Sequence, residues 1–215
     1  MPRPSTPKLS IDAIVDAAIT LAEQTGGLFT MADLAAALEV RPSSLYNHVA
    51  GRAEVVDLIR HRMHEEMAVR IDPRADWRTV VRESARAQRD ALARRPWLTM
   101  LLATSPAELG AAASSIENIA FVLSRAGFRD ADLLQIITAI DIVAIGASLD
   151  LLSPERLYPR DVLAESASLS RALRHAPRDL PRAESAFVFA VDLLISGLEQ
   201  RLAAGNPPAF PASPA

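Results

Sequence analysis

The residues best suited to contact a polyanion lie between Val40 and His64. Only Glu54 and Asp57 are acidic in this stretch. Its basic residues and histidines are Arg41, Arg52, Arg60, Arg62, His48, His61 and His64. Because the whole chain carries a net charge of −3, this positive charge is local, and a nucleic-acid footprint built on it should be small.

Short polar side chains alternate with apolar ones directly after Val40. Leu45 and Val49 can anchor a helix to its neighbours, while the polar residues are Arg41, Ser43, Ser44, Tyr46, Asn47 and His48. A helix that enters a major groove about 12 Å wide needs short or flexible donors and acceptors at its exposed tip. The pattern therefore predicts a DNA-reading helix, although a small three-helix bundle could use the same spacing for packing alone.

The elements that must position this tip are helices. Apolar residues with helical spacing predict a first helix that Ser10 caps and Gly26-Gly27 ends. Thr30, with Asp33 three residues on, predicts a capped second helix over about Met31 to Leu38. The connection Glu39-Val40-Arg41 leads to a third helix that Pro42 starts, with Leu45 and Val49 on its core side. A fourth helix follows over about Arg52 to Val69.

Longer helical patterns follow the predicted boundary at Asp72-Pro73. They cover about Trp77–Arg95, Pro106–Arg125, Asp130–Leu152 and Arg182–Ala203, with a shorter helix near Asp161–His175. The stretches Leu133–Leu152 and Ala186–Leu198 are apolar nearly all round, which predicts burial in a core or a subunit interface. No alternating strand pattern occurs, so the chain is predicted to be all-α.

The N-terminal motif resembles the tetracycline-repressor (TetR) family. The resemblance rests on Phe29-Thr30-Met31-Ala32-Asp33-Leu34-Ala35-Ala36-Ala37-Leu38-Glu39-Val40, on Ser44-Leu45-Tyr46-Asn47-His48-Val49 and on Gly51-Arg52-Ala53-Glu54. It covers about residues 10–60 and implies a DNA-binding transcriptional regulator, by default a repressor, that a small molecule releases from a palindromic operator. It also implies a helix-turn-helix domain followed by a larger helical domain for effector binding and dimerisation.

This resemblance assigns roles to individual residues. Thr30 and Met31 fall where the family contacts phosphate through helix N-terminal amides. Base readers are implied at Pro42, Ser43, Ser44 and Asn47, and contacts to the backbone or base edges at Tyr46 and His48. Arg52 falls where a lysine usually grips phosphate. Arg41 is a further candidate contact, with a merely solvated arginine as the alternative.

Some positions depart from the tetracycline repressor itself. Ala32 stands where that protein has a base-reading arginine, Ala50 where it has a lysine, and Asn47 where it has a tryptophan. We therefore expect an operator different from the tetracycline operator.

The predicted domains are a flexible arm (1–9), the helix-turn-helix domain (10–52), a connecting helix (53–72), the effector-binding and dimerisation domain (73–205) and a disordered tail (206–215). The resemblance implies a homodimer built from the last two long helices. An apolar effector pocket could be lined by Trp97, Met100, Leu101, Ile116 and Phe121, although the same residues could be plain core. Asp141 or Asp192 could anchor a cationic or hydroxylated effector, or either could lie at a rim or pair with an arginine across the dimer interface.

Other function classes lack their signatures. The chain has no phosphate-cradling glycine loop, nucleophile elbow or zinc-hydrolase pair, which argues against an enzyme, and no cofactor is predicted. With 0 cysteines, thiol chemistry is excluded. His61, His64 and Glu65 have a metal-compatible spacing without a third ligand, so a solvated face is favoured. No uninterrupted apolar run of about 18 residues and no signal peptide occurs, so a cytoplasmic protein is expected. The remaining alternative is a helical protein-interaction module without DNA binding.

Overall fold

The computed structural model describes residues 9–67, 72–103, 113–155 and 166–205. Helices and turns make up this part of the chain, with no strand in it, and the predicted all-α fold is confirmed. The helices are α1 (Ile11–Thr25), α2 (Met31–Ala37), α3 (Pro42–Leu45), α4 (Arg52–Met67), α5 (Trp77–Arg94), α6 (Pro96–Ala103), α7 (Ala113–Arg125), α8 (Asp130–Asp150), α9 (Ala167–Arg174) and α10 (Arg182–Ala203).

The ends of α1 follow from its capping residues, as predicted. The Ala13 amide donates to the Ser10 hydroxyl over 3.2 Å, which satisfies an amide that the first helical turn leaves without a partner. At the other end Gly26 has φ 66°, a left-handed conformation that glycine adopts without steric cost. The face between these ends buries Ile14, Val15, Ala18 and Ala22.

The chain forms two compact units. The first unit comprises residues 1–68 and 94–115, and the second comprises residues 69–93 and 116–215. In the first unit α1 packs on α2, α4 and α6, and α6 also contacts α4. The predicted functional boundaries at residues 52, 72 and 205 remain predictions.

Helix α6 was not predicted. The sequence pattern predicts a helix end at about Arg95 and the next start at Pro106, whereas Pro96 begins a further helix, because a proline costs no hydrogen bond in the first helical turn. Leu98 and Leu101 of α6 are fully buried in the first unit. The predicted start of the following helix at Pro106 lies outside the described residues, as do the first residues of the predicted helix at Asp161–His175.

The core of the second unit comes from α5, α7, α8 and α10. Trp77 of α5 meets Phe128 edge-on, with ring centroids 5.2 Å apart. Isoleucines of α8 and apolar residues of α10 complete this core, namely Ile136, Ile137, Ile140, Phe187, Val191, Ile195 and Leu198.

Charged side chains buried in this unit are paired. Asp132 is only 3% exposed and accepts hydrogen bonds from Arg129 at 3.0 and 3.1 Å and from Arg201 at 3.2 Å. Arg89 is only 4% exposed, pairs with Glu184 at 2.7 Å and lies 4.1 Å from the Phe187 ring centroid. Such pairing offsets the cost of removing the charges from water.

Helix α8 is long and apolar enough to cross a membrane by length and composition alone. The sequence criterion of an uninterrupted apolar run did not detect it, because Asp132 and Asp141 interrupt the run. Core helices of soluble proteins share this composition, and α8 packs along α10. The property is therefore weak support for a membrane span.

Candidate nucleic-acid interface

The start of α2 is closed by a reciprocal cap between Thr30 and Asp33. The Asp33 amide donates to the Thr30 hydroxyl at 3.2 Å, while the Asp33 carboxylate accepts from the Thr30 hydroxyl at 2.7 Å and from the Thr30 amide at 2.8 Å. These hydrogen bonds from Thr30 lower the pKa of Asp33. The Thr30 amide is therefore occupied, and the amides of Met31 and Ala32 are the ones that the first turn leaves without a helical partner.

The turn from α2 to α3 depends on Glu39. This residue has φ 54°, the left-handed conformation that few side chains adopt readily. The turn lets the Val40 amide donate to the Ala35 carbonyl at 3.0 Å and the Glu39 amide donate to the Ala36 carbonyl at 3.1 Å. These bonds satisfy the last carbonyls of α2 and direct the chain into α3.

Helix α3 is shorter than the spacing of Leu45 and Val49 suggested. It ends at Leu45, and turns follow over residues 46–48, although the Val49 amide still donates to the Leu45 carbonyl at 3.0 Å. Leu45 and Val49 are both buried and anchor this segment, as predicted. The exposed residues around them are Arg41, Pro42, Ser43, Tyr46, Asn47 and His48, and Ser44 is half-buried.

Fewer positively charged side chains are available at the exposed surface around α3 than the sequence suggested. Arg60 is only 6% exposed and pairs with Asp57. Arg62 pairs with Asp12 at 2.7 Å and with Asp16 at 3.1 Å on α1. Arg41 is exposed and makes no ion pair with a described residue. Arg60 and Arg62 thus serve the packing of α4, and Arg41 carries the exposed charge beside α3.

Arg52 joins the start of α4 to the segment before α2. Its Nε donates to the Phe29 carbonyl at 3.0 Å and its Nη2 to the Gly27 carbonyl at 3.5 Å. The guanidinium carbon also lies 5.0 Å from the Phe29 ring centroid, a cation–π distance. Arg52 therefore holds the start of α4 to the segment that connects α1 and α2, a role that the sequence did not indicate. Its phosphate contact stays a prediction.

The predicted effector-binding residues are divided between the two units. Trp97 and Leu101 are buried in the first unit, and the side chain of Met100 lies outside the described residues. In the second unit Ile116 packs against the core, whereas Phe121 is 52% exposed. The pocket assignment of these residues stays a prediction.

The two candidate anchors differ in their surroundings. Asp192 is exposed and pairs with Arg82 of the same chain at 3.2 Å. Asp141 is half-buried and has no ion pair with a described residue. Burial raises the pKa of Asp141, and a hydrogen bond from the Gln88 side chain offsets this in part. Gln88 is a site candidate that sequence reasoning missed, although its polar side chain within a helix that is apolar on one face was a usable signal.

Helices α8 and α10, which pack on each other, leave several large apolar side chains exposed. They are Leu134, Ile142, Ile145, Leu149, Phe189 and Leu193. Gly146 and Gly197 lie in the same two helices, are exposed, and have open space where a Cβ would stand. Large apolar surfaces of this kind mark interaction sites. We call this set of residues the α8–α10 surface.

The second half of the chain matches a known protein family. Residues 71–202 match the family described as tetracyclin repressor-like, C-terminal domain. Since the match covers more than half of the chain, the protein belongs to the tetracycline-repressor (TetR) family. The family that the N-terminal motif predicted is thereby confirmed from the other end of the chain.

Individual relatives are also regulators. The HTH-type transcriptional repressor DrrR1 of Streptomyces coeruleorubidus is 29% identical over 163 residues, which are 74% of this chain and 60% of that protein. The match thus spans less than two thirds of that relative's length.

Solved structures share the fold. Apo ActR from Streptomyces coelicolor has a TM-score of 0.72 at 20% identity, over 94% of this chain and 100% of ActR. Another ActR structure holds (S)-DNPA. BioQ, known from Mycobacterium smegmatis, has also been solved with its double-stranded DNA operator. That complex has a TM-score of 0.61 at 22% identity, over 89% of this chain and 98% of BioQ.

Proposed function

We propose that this chain is a DNA-binding transcriptional repressor that grips a palindromic operator as a homodimer and leaves it when a small molecule binds. The observation that carries the proposal is the exposed polar tip around α3, held in place by the buried side chains of Leu45 and Val49. A partner-binding helix would need large apolar side chains at Ser43, Ser44 and Asn47 instead. The interaction-module alternative is therefore disfavoured.

The polar tip reads bases in this proposal. Ser43, Ser44 and Asn47 approach base edges in the major groove with Pro42, where an asparagine amide can bond both N6 and N7 of adenine. Tyr46 and His48 contact the backbone or base edges at the end of the short helix. Arg41, whose charge is exposed, contacts phosphate or a base at the edge of the footprint.

Phosphates contact the amide groups at the start of α2. Because the Thr30 amide is bonded to Asp33, we assign the contact to the Met31 and Ala32 amides, with Thr30 fixing the helix start. The Nε of Arg52 donates a hydrogen bond to the Phe29 carbonyl, and Nη hydrogens remain that can donate to a phosphate oxygen.

Each protomer carries one DNA-reading segment around α3, here called its reading head. Dimerisation through the α8–α10 surface supplies the second reading head. The apolar side chains of this surface gain most when a second copy removes them from water, and Gly146 and Gly197 allow the helix backbones to approach. Two α3 helices about 34 Å apart meet successive major grooves on one face of the DNA. A two-fold symmetric protein thus requires a palindrome.

The relatives support this proposal. DrrR1 is described as a transcriptional repressor, BioQ was solved on its operator, and ActR was solved with (S)-DNPA. We infer that an effector bound to the second unit shifts α4 and changes the separation of the reading heads, which requires different effector affinities for the two spacings. We further propose that the protein catalyses no reaction and works in the cytoplasm, where its DNA is.

Selection of bound sequences from a random duplex pool, at a fixed salt concentration, tests the proposal. We expect a palindrome whose half-sites lie about one helical turn apart. Enrichment of a single half-site would contradict the dimeric reader. The absence of any enrichment, with a folded protein, would favour the interaction module instead.

A further inference from the structure

Glu39, in the turn between α2 and α3, differs from the other acidic residues close to the DNA-reading segment. Asp33 caps the start of α2, and the carboxylates of Glu54 and Asp57 accept hydrogen bonds from a main-chain amide and from an arginine. The Glu39 side chain is exposed and forms no hydrogen bond or ion pair with a described residue. Its carboxylate therefore has no partner in the described part of the first unit.

The backbone of Glu39 suits a glycine better than a glutamate. Its φ of 54° is left-handed, a conformation that glycine adopts without steric cost and that strains other residues. The turn is formed by main-chain hydrogen bonds from the amides of Glu39 and Val40 to the carbonyls of Ala36 and Ala35, which a glycine would form equally. A strained side chain that the turn does not need points to a functional role.

The chain connection keeps this carboxylate close to the DNA in the proposed complex. Consecutive Cα atoms are about 3.8 Å apart, so the Cα of Glu39 lies within about 8 Å of that of Arg41 and about 11 Å of that of Pro42, where α3 begins. Exposed charges act over about 10 Å at 0.1 M salt, and duplex DNA carries one phosphate charge per about 1.7 Å. The carboxylate therefore opposes the attraction between Arg41 and phosphate.

We propose that Glu39 is an affinity-setting residue of the DNA interface, whose negative charge repels phosphate and weakens binding to every duplex. The inference rests on the proposed DNA-binding function. Nonspecific binding depends on the attraction between cations and phosphates, so a carboxylate beside the exposed charge of Arg41 suppresses it. Operator binding also has base contacts and persists, which leaves the protein free of other DNA.

Removing the charge tests this role in the full chain. Glu39→Gln keeps the shape of the side chain, and fluorescence anisotropy measures affinity for a random-sequence duplex and for the selected operator. We expect both affinities to rise about three- to tenfold at low salt, because each protomer of the dimer loses one repulsive charge. The gain should shrink as salt is raised to about 0.3 M, because screening shortens the range of the repulsion. A purely structural role would not produce this salt dependence.

Three further variants separate charge from strain and from net charge. Glu39→Asp keeps the charge and should bind DNA like wild type. Glu117→Gln makes the same chemical change at an exposed position of α7 in the second unit, and it should leave both affinities unchanged. Glu39→Gly removes charge and strain together, so it should show the gain in affinity and also unfold about 2–4 °C above wild type.

The outcomes distinguish this inference from the function on which it rests. If wild type binds DNA and Glu39→Gln gains nothing, or Glu117→Gln gains equally, the inference is overturned and the regulator stands. A loss of affinity confined to the operator would also overturn it, because the carboxylate would then accept a hydrogen bond from a base amino group. Wild type that binds no duplex would contradict the proposed function, and the inference with it.

Discussion

The Nε of Arg52 donates a hydrogen bond to the carbonyl of Phe29 over 3.0 Å, and this bond ties the start of α4 to the residue before the cap of α2. The same arginine is the predicted phosphate contact, so one side chain can align the DNA-reading unit and touch the DNA. A shift of α4 would then also displace the segment at the start of α2.

Replacing Arg52 by alanine should have two separable effects. The free energy of unfolding should fall by about 1–2 kcal/mol, because the Phe29 carbonyl loses its partner. Affinity should fall alike for every DNA sequence, and the slope of log affinity against log salt should decrease by about one. Denaturant unfolding and salt-dependent fluorescence anisotropy measure the two effects. An unchanged salt slope would assign Arg52 to structure alone.

Replacing Asn47 by alanine should change specificity rather than overall binding. We expect weaker discrimination at one base pair in each half-site, by about 1–3 kcal/mol, because the exposed amide no longer bonds a base edge. Affinities for a set of operators with single base changes measure this effect. Gln24→Ala, on the exposed side of α1, is the control that should leave every ratio unchanged. Uniform losses across the set would show that Asn47 contacts only the backbone.

Gly27 should tolerate substitution by alanine much less well than its neighbour Gly26. Both have positive φ, 88° and 66°, but a Cβ on Gly27 would stand 2.9 Å from the Trp97 carbonyl oxygen, while Gly26 has open space. Gly26→Ala should cost about 1–2 kcal/mol for its backbone alone. Gly27→Ala should cost more, since the contact with α6 must also shift. Equal unfolding free energies for the two variants would contradict this packing.

The free energy of unfolding should fall as the pH is lowered, and part of this loss should depend on Asp132. Hydrogen bonds from Arg129, and further ones from Arg201, keep the pKa of Asp132 below its ordinary value. A carboxyl group with a lowered folded-state pKa stabilises the fold above its unfolded pKa of about 3.9, and this stability is lost as the pH falls through the folded-state pKa. Wild type should therefore lose more stability than Asp132→Asn between neutral pH and about pH 3. Asp130→Asn, on the same helix but exposed, should behave like wild type.

The α8–α10 surface should hold the dimer together. Leu193 is 58% exposed, so a glutamate there should leave the fold of the protomer intact while placing a charge in the proposed interface. Light scattering should show a monomer, and operator affinity should fall sharply because one reading head is lost. Leu173→Glu, at an exposed leucine of α9, is the matched control and should remain dimeric. A dimeric Leu193→Glu variant would require another interface.

The sequence alone determined those features that depend on neighbours a few residues apart. Ser10 and Gly26 bound α1, Thr30 and Asp33 cap α2, and Leu45 and Val49 are buried around α3, all as predicted. Capping and helical periodicity are local effects, so a single sequence is enough to predict them. The family followed from the same stretch, because its residues combine these local signals with a polar tip.

The tertiary structure decided what each charged or buried side chain does. Arg62 reaches Asp12 and Asp16 across 50 and 46 residues of chain, so its pairing, unlike its charge, could not be derived from spacing. The sequence pattern does not predict α6, because the packing that stabilises this short helix comes from α1 and α4. Asp141 is a candidate anchor by its apolar neighbours in sequence, but Gln88, whose hydrogen bond acts to lower the pKa of Asp141, precedes it by more than fifty residues and reaches it only in the fold. Burial and pairing depend on contacts between distant segments, and such contacts exist only once the helices have packed.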